Sequence, residues 1–157
     1  MRPDLASQTA FALRPAPRPE VQVQYAALCY RLRRGKPQLL LVTSLRARRW
    51  IVPKGWPEPG MSPADCAARE AWEEAGVCGT VGHEPIGAFS YTKQGIRRRL
   101  PCLALVFALQ VDRLDDDYPE VRRRKRRWFR RKTAAAAVRS PDLAQMLRDF
   151  DPRGQRR

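Results

Sequence analysis

The sequence predicts an α+β domain in which a mixed β-sheet is sandwiched between α-helices. Three observations point there. Strand-like segments come first, followed by one helix, more strands and finally helices. The run from Leu100 to Val111 alternates Leu103, Leu105, Phe107 and Leu109 with Ala104, Val106 and Ala108, apolar on both sides as in a strand covered on both faces. The segment from Pro63 to Ala75 sets Ala64, Ala67, Ala68, Ala71 and Ala75 in one stripe, small enough for a helix to lie close on a sheet.

Residues 1–20 read as a flexible leader, because Pro15, Pro17 and Pro19 break them and no continuous apolar run suits a secretory signal; their arginines and few acids also admit a transit peptide. Residues 21–150 are expected to form a single domain, since 157 residues suffice for one core and are too few for two ordinary ones; residues 151–157 form a basic tail. Strands are expected at 21–32 and 38–44, with a short one at 50–52. A helix follows from Pro63 to Ala75, opened by Ser62 as N-cap, Pro63 in the first turn and Asp65 behind it, and stopped by Gly76. Further strands are expected at 86–92 and 100–111, then an acidic loop from Asp115 to Glu120 and a short strand carrying Trp128 and Phe129. The chain closes in helical segments, one near Ala134 to Val138 and one opened by Ser140 and Pro141 and running to Phe150.

The helix at 63–75 carries the chemistry. Glu70, Glu73 and Glu74 share an arc of roughly 100° beside the alanine stripe. Close packing of that stripe fixes the carboxylates in place, as a hard cation requires. Magnesium takes oxygen ligands, keeps several waters and is shared between one or two carboxylates and substrate phosphates. Glu70 and Glu74, one turn apart, fit that demand, and Arg69 can orient a neighbouring carboxylate by a charge-assisted bond. Upstream, a Pro53-Lys54-Gly55 turn follows the apolar run Trp50-Ile51-Val52.

This segment resembles the Nudix box: Gly, five residues, Glu, seven residues, then Arg-Glu-aliphatic-any-Glu-Glu-any-Gly-aliphatic. Gly55, Arg69, Glu70, Glu73, Glu74, Gly76 and Val77 match in register, Ala71 stands at the first aliphatic position, and Met61 replaces the first Glu. Tyr25 to Arg31, Leu39 to Ser44, Arg49 to Gly55 and Arg124 to Phe129 resemble the flanking segments of the diphosphoinositol polyphosphate phosphohydrolases, which also hydrolyse diadenosine polyphosphates. The resemblance covers about residues 21 to 150 and implies a Nudix-type sheet sandwiched between helices. It also implies a Mg²⁺- or Mn²⁺-dependent pyrophosphohydrolase acting on a highly charged polyphosphate. Glu70 and Glu74 would be the principal metal ligands, Glu73 a further ligand or a water contact, and Arg69 the orienting group. Lys54, Gly55, Arg99 and Arg124 would position phosphates, although some members carry glycine where Lys54 stands. Met61 departs from the pattern and implies reduced or rearranged metal binding, with Glu58 as a substitute. The general base is one of the box glutamates or a loop acid such as Glu120. A nucleotide or RNA 5′-end pyrophosphohydrolase, and a non-catalytic nucleic-acid-binding or regulatory protein on the same scaffold, are the alternatives.

Charge is the second large signal. The formal net charge is +15, and nine of the eleven residues from Arg122 to Lys132 are basic, while Arg97-Arg98-Arg99 precedes a strand. Such self-repulsion calls for an anionic partner. A small-molecule polyphosphate is the first expectation, and nucleic acid bound through residues 122–132 the second; Trp128 and Phe129 within that run read as core rather than stacking residues. Cys29, Cys66, Cys78 and Cys102 lack CxxC spacing, which argues against zinc and, with no signal or membrane-spanning stretch, for the cytoplasm. His83, the lone histidine, reads as a surface loop residue. No heptad or apolar surface stripe fixes an oligomeric state.

Overall fold

The computed structural model describes residues 20–94 and 99–155. All but the last residue of the expected leader, together with Arg97, Arg98 and the last two residues of the expected tail, lies outside them. The described elements run β1 (Gln22–Arg33), β2 (Lys36–Thr43), β3 (Trp50–Ile51), β4 (Lys54–Gly55), α1 (Pro63–Ala75), β5 (Val77–Val81), β6 (Gly87–Gln94), β7 (Arg99–Leu114), β8 (Arg126–Arg130), α2 (Arg131–Ala137) and α3 (Pro141–Asp149). A short 3-10 turn, Pro152–Gln155, follows.

The strands join in one mixed sheet of order β3-β2-β1-β7-β5, with β4 added to β1, β6 to β7 and β8 to β2. Among the described residues only the central β1–β7 pairing is parallel, from Gln22↔Cys102 to Tyr30↔Gln110. The β1–β2 hairpin turns on Arg34 and Gly35, both at positive φ (53° and 75°), the geometry that matches the right-handed strand twist.

Two apolar layers flank the sheet. Ala26, Leu28 and Tyr30 of β1 join Leu39, Leu41 and Phe129 beneath α2 and α3, where Leu143, Leu147 and Phe150 close the layer. Ala27 and Cys29 face the other way, onto Ala64, Ala67, Ala71 and Ala75 of α1. Period-two alternation thus sends one strand into both cores, which is the sandwich the sequence implies. No described helix is long and apolar enough to cross a membrane.

The ends of α1 follow local chemistry. The Ser62 hydroxyl accepts the Asp65 N–H at 3.1 Å, Pro63 fills the first turn, and Gly76 ends the helix at φ 68°. Sequence reasoning missed β4 and β5. β5 contains Gly79, which weakens the strand pattern; there the ladder with β7 shifts register at Cys78/Gly79, and a Cβ on Gly79 would strike the Gln110 carbonyl. β4 is two residues long and exists only because β1 pairs with it, Tyr25↔Gly55 and Ala26↔Lys54. That pairing pins the Lys54–Gly55 turn beside the central strand.

Gly76 combines a left-handed backbone with a crowded site, since an added Cβ would lie 2.6 Å from the Asp115 carbonyl oxygen. Gly76→Ala should therefore lower stability by roughly 2 kcal/mol in urea unfolding, with an unchanged slope. A loss under about 0.5 kcal/mol, the range of ordinary surface changes, would contradict this picture of the helix end.

Candidate active site

Glu74 sits in the last turn of α1, and the alanine stripe draws it down onto the sheet until it is only 5% exposed. Its carboxylate is held from two directions. The Lys54 backbone N–H donates to Oε2 at 3.2 Å, and Arg124 Nη2 pairs with Oε1 at 3.2 Å. Arg124 is itself part-buried, with its side chain 9% exposed. Its Nε donates to Glu120 Oε2 at 2.8 Å and its Nη1 to the Thr43 carbonyl at 3.1 Å. One guanidinium therefore ties β2, α1 and the loop before β8 together.

Burial pushes the Glu74 carboxyl up to about 8, with Arg124 opposing and Glu70 adding to the rise. Glu70 also titrates above its ordinary range, from burial first and then from Glu73, Glu120 and Glu58. Acids packed this closely gain from a cation placed between them.

The fit of such a cation can be judged from the backbone beneath it. Gly55 lies directly under Glu70, and a Cβ on Gly55 would occupy the space of the Glu70 carboxyl group. The glycine is the cradle that lets the carboxylate lie over β4 beside Glu74. Among the described residues no three His, Cys, Asp or Glu side chains converge as a ready-made metal cluster. Two hard-oxygen carboxylates one turn apart nevertheless fit magnesium or manganese, whose remaining positions go to water and substrate oxygens.

Glu70 and Glu74 open onto a cavity of about 610 Å³, shared with Lys54, Gly55 and Arg124. Arg69, Glu73 and Arg99 do not line it. Arg69 turns outward and bridges Glu58 at 2.7 Å and Glu73 at 3.0 Å, so the carboxylates it orients are those two rather than Glu70 or Glu74. Arg99 is exposed at the start of β7, opposite Gln94. Glu120 stays close by through Arg124, and its backbone N–H donates to the Glu73 carbonyl at 3.0 Å. Met61 lies in the turn before α1, its N–H donating to the Glu58 carbonyl at 3.2 Å.

Sequence reasoning did not single out Tyr91, Lys93 or Trp56, all of which line the cavity. The Lys54 ammonium lies 4.6 Å above the Tyr91 ring and the Lys93 ammonium 4.9 Å from the Trp56 ring centre. Burial holds the Lys54 amine below its usual range against the pull of Glu74, and Lys93 and Arg124 push it the same way as burial. Tyr91 donates its hydroxyl proton to Gln24, a glutamine buried in β1. Arg46, Arg49 and Arg139 add charge at the cavity wall. The Trp-Phe pair divides: Phe129 is core, whereas Trp128 is half-buried on the α1 side. Cys29, Cys66 and Cys102 are buried free thiols, and His83 is exposed.

Residues 23–150 match the NUDIX domain. Diphosphoinositol polyphosphate phosphohydrolase 3-alpha of Mus musculus is 38% identical over 107 residues, 67% of this chain and 62% of that protein. The mitochondrial Nudix hydrolase 12 of Arabidopsis thaliana is 32% identical over 120 residues, 74% of this chain and 59% of that protein. The chain thus spans about three fifths of the length of these curated relatives. Among solved structures, the C. elegans Ap4A hydrolase superposes with a TM-score of 0.57 at 21% identity, covering 82% of this chain and 95% of that one. A NUDIX hydrolase from Nitrosomonas europaea gives 0.59 at 23% identity, covering 87% and 92%. At that identity the likeness is one of fold.

Removing the Arg124 guanidinium leaves the Glu74 carboxylate buried without its partner. Arg124→Met should lower stability by roughly 3 kcal/mol at pH 8 without added metal, and Glu74→Gln in the same chain should restore more than half of the loss. Additive losses in this double-mutant cycle would mean that the pair is not the contact holding α1 to the loop before β8.

Proposed function

This chain belongs to the NUDIX family, and from that premise we propose that it is a Mg²⁺- or Mn²⁺-dependent hydrolase that cleaves a phosphoanhydride in a densely charged polyphosphate. The observation that carries the reading is the wall of one cavity: Glu70 and Glu74 side by side, with the amines of Lys54 and Lys93 facing the same space. Carboxylates that attract a cation, beside cations that attract phosphate, suit a substrate bound as its metal complex. The cavity is also of ordinary small-ligand size.

In this reading Glu70 and Glu74 would hold the principal metal ion, and Glu73, fixed by Arg69, would serve as a water contact beside it. Bound there, the ion supplies Lewis acidity, an acidified water and neutralisation of charge on the breaking anhydride. Arg124 opposes the effect of burial on Glu74 and aims its carboxyl group. Gly55 leaves room for the Glu70 carboxyl group. Lys54 and Lys93 take phosphate oxygens, and Arg46 and Arg49 extend that positive wall. Arg99 acts from the rim. Glu120, held by Arg124, is the acid we assign as general base.

Diphosphoinositol polyphosphates and dinucleoside polyphosphates both meet the charge requirement. The Trp56 and Tyr91 rings favour the second, since they offer flat apolar area to a nucleobase where an inositol ring has none to match. The four unpaired cysteines suit a reducing compartment, which we take to be the cytoplasm.

Phosphate release with Mg²⁺ or Mn²⁺ should be assayed against diadenosine hexaphosphate, an inositol pyrophosphate, nucleoside triphosphates and a 5′-triphosphorylated RNA. Glu74→Gln should cut turnover at least ~100-fold while the protein still unfolds cooperatively; full activity in that variant would overturn the assignment. Trp56→Ala should raise KM for the dinucleotide roughly 10-fold and leave KM for the inositol substrate unchanged. An equal effect on both would remove the argument for a nucleobase.

A further inference from the structure

The basic run from Arg122 to Lys132 does not form one surface. Arg124 is spent on Glu74 and Glu120, Arg126 on the carbonyls of Ala75 and Asp115 at 2.8 Å each, and Arg131 on the Phe150 carbonyl at 2.8 Å. Arg127 turns to the opposite face of β8, toward the Phe129 ring. Of the rest, Arg130 joins three cations of β1 and β2 on one side of the sheet.

The register defines that place. Arg31 of β1 stands opposite Gln38 of β2, which stands opposite Arg130 of β8; one step outward, Arg33 faces Lys36. One step inward, Cys29, Leu40 and Trp128 form the last row beneath α1. Directly paired residues share a face, and alternate residues along a strand share it too. Arg31, Arg33, Lys36, Arg130 and Trp128 therefore lie on one side of the sheet, the side α1 covers farther in. Arg33, Lys36 and Arg130 are exposed, and Arg31 is half-buried. With strands about 4.8 Å apart and same-face neighbours about 6.6 Å apart, the four cations occupy a patch of roughly 10 by 7 Å.

Among the described residues none of the four cations has an acidic partner, a property they share with most lysines and arginines of the molecule; what sets the patch apart from an ordinary solvated surface is the aromatic platform among them. The Arg31 guanidinium lies over the Trp128 ring at 4.1 Å, and its Nε donates to Gln38 Oε1 at 2.8 Å. That hydrogen bond fixes a flat, layered platform in the middle of the charge.

We propose that this face of β1, β2 and β8, with Arg31, Arg33, Lys36 and Arg130 around the Trp128–Arg31 stack, binds the backbone of a single-stranded nucleic acid. The chemistry is complementary in both parts. Unpaired cations on a rigid sheet neutralise successive phosphates, and a guanidinium plane seated on an aromatic ring offers a splayed base a surface to stack on. A duplex keeps its bases stacked inside and can use only the charges. A compact polyphosphate would use only the charges as well. The inference does not depend on the hydrolytic reading, because none of these residues lines the carboxylate cavity.

The test is fluorescence anisotropy with the full chain and a labelled 15-nucleotide oligouridylate across a salt series. Binding should fall with salt and be at least about tenfold tighter than to a duplex of the same length. Changing Arg31, Arg33, Lys36 and Arg130 together to Gln should weaken it at least about tenfold and reduce the salt slope by roughly 0.7 per cation removed. Four exposed cations elsewhere, Arg122, Arg127, Lys132 and Arg148, changed to Gln should cost less than about threefold. Arg31→Lys, which keeps charge and loses the plane, should weaken binding while leaving the slope intact. If the fourfold variant fails to fold, the exposed pair Arg33→Gln and Lys36→Gln gives the same comparison with half the slope change. Equal losses in the two sets, tighter binding to duplex, no binding of the oligouridylate, or binding only to phosphatidylserine vesicles would overturn the proposal.

Discussion

Two carboxylates on adjacent turns of a helix repel one another, and packing them against a sheet removes the water that would screen the repulsion. The Arg124 guanidinium answers that problem. It pairs with Glu74 at 3.2 Å and with Glu120 at 2.8 Å, and it caps the Thr43 carbonyl. Three segments distant in sequence meet on this one side chain, and the position of the Glu70–Glu74 pair depends on it. A buried charge pair adds little net stability compared with apolar packing, yet breaking one side of it is costly. Its role here is to hold the acids ionisable in a fixed place.

The rest of the architecture serves the same end. Alanines at 64, 67, 71 and 75 let α1 approach the sheet, the β1–β4 pairing fixes the floor beneath it, and Gly55 keeps that floor clear under Glu70. The second layer, beneath α2 and α3, closes the far side of the sheet, and α3 adds Leu143 to the cavity wall. Close packing and electrostatics are thus coupled: a larger residue in the alanine stripe would lift the carboxylates away from Lys54 as surely as a charge change would.

Much of this was legible locally. The start and end of α1 follow from Ser62, Pro63 and Gly76, because capping is settled within one turn. The two-faced strand β7 was visible in its continuous apolar alternation, and so was the order of the layers. What escaped depends on contacts between distant segments. β5 hides behind Gly79, and β4 is too short to have a pattern of its own. Tyr91 and Lys93 meet the carboxylates only because β6 folds beside β7, and Trp56 only because β4 pairs with β1. Arg124 was singled out by the resemblance as a phosphate-positioning residue, but its pairing with Glu74 and Glu120 could not be read from the run of arginines. Arg69 was tied to the right helix, yet its partners Glu58 and Glu73 do not line the cavity.

The central claim is that Glu70 and Glu74, steadied by Arg124, form the seat of a divalent cation. Anomalous diffraction at the manganese edge from crystals equilibrated with Mn²⁺ tests it most directly. The account predicts a peak within about 2.2 Å of carboxylate oxygens of both Glu70 and Glu74. A peak confined to surface acids, or none at saturating Mn²⁺, would contradict it.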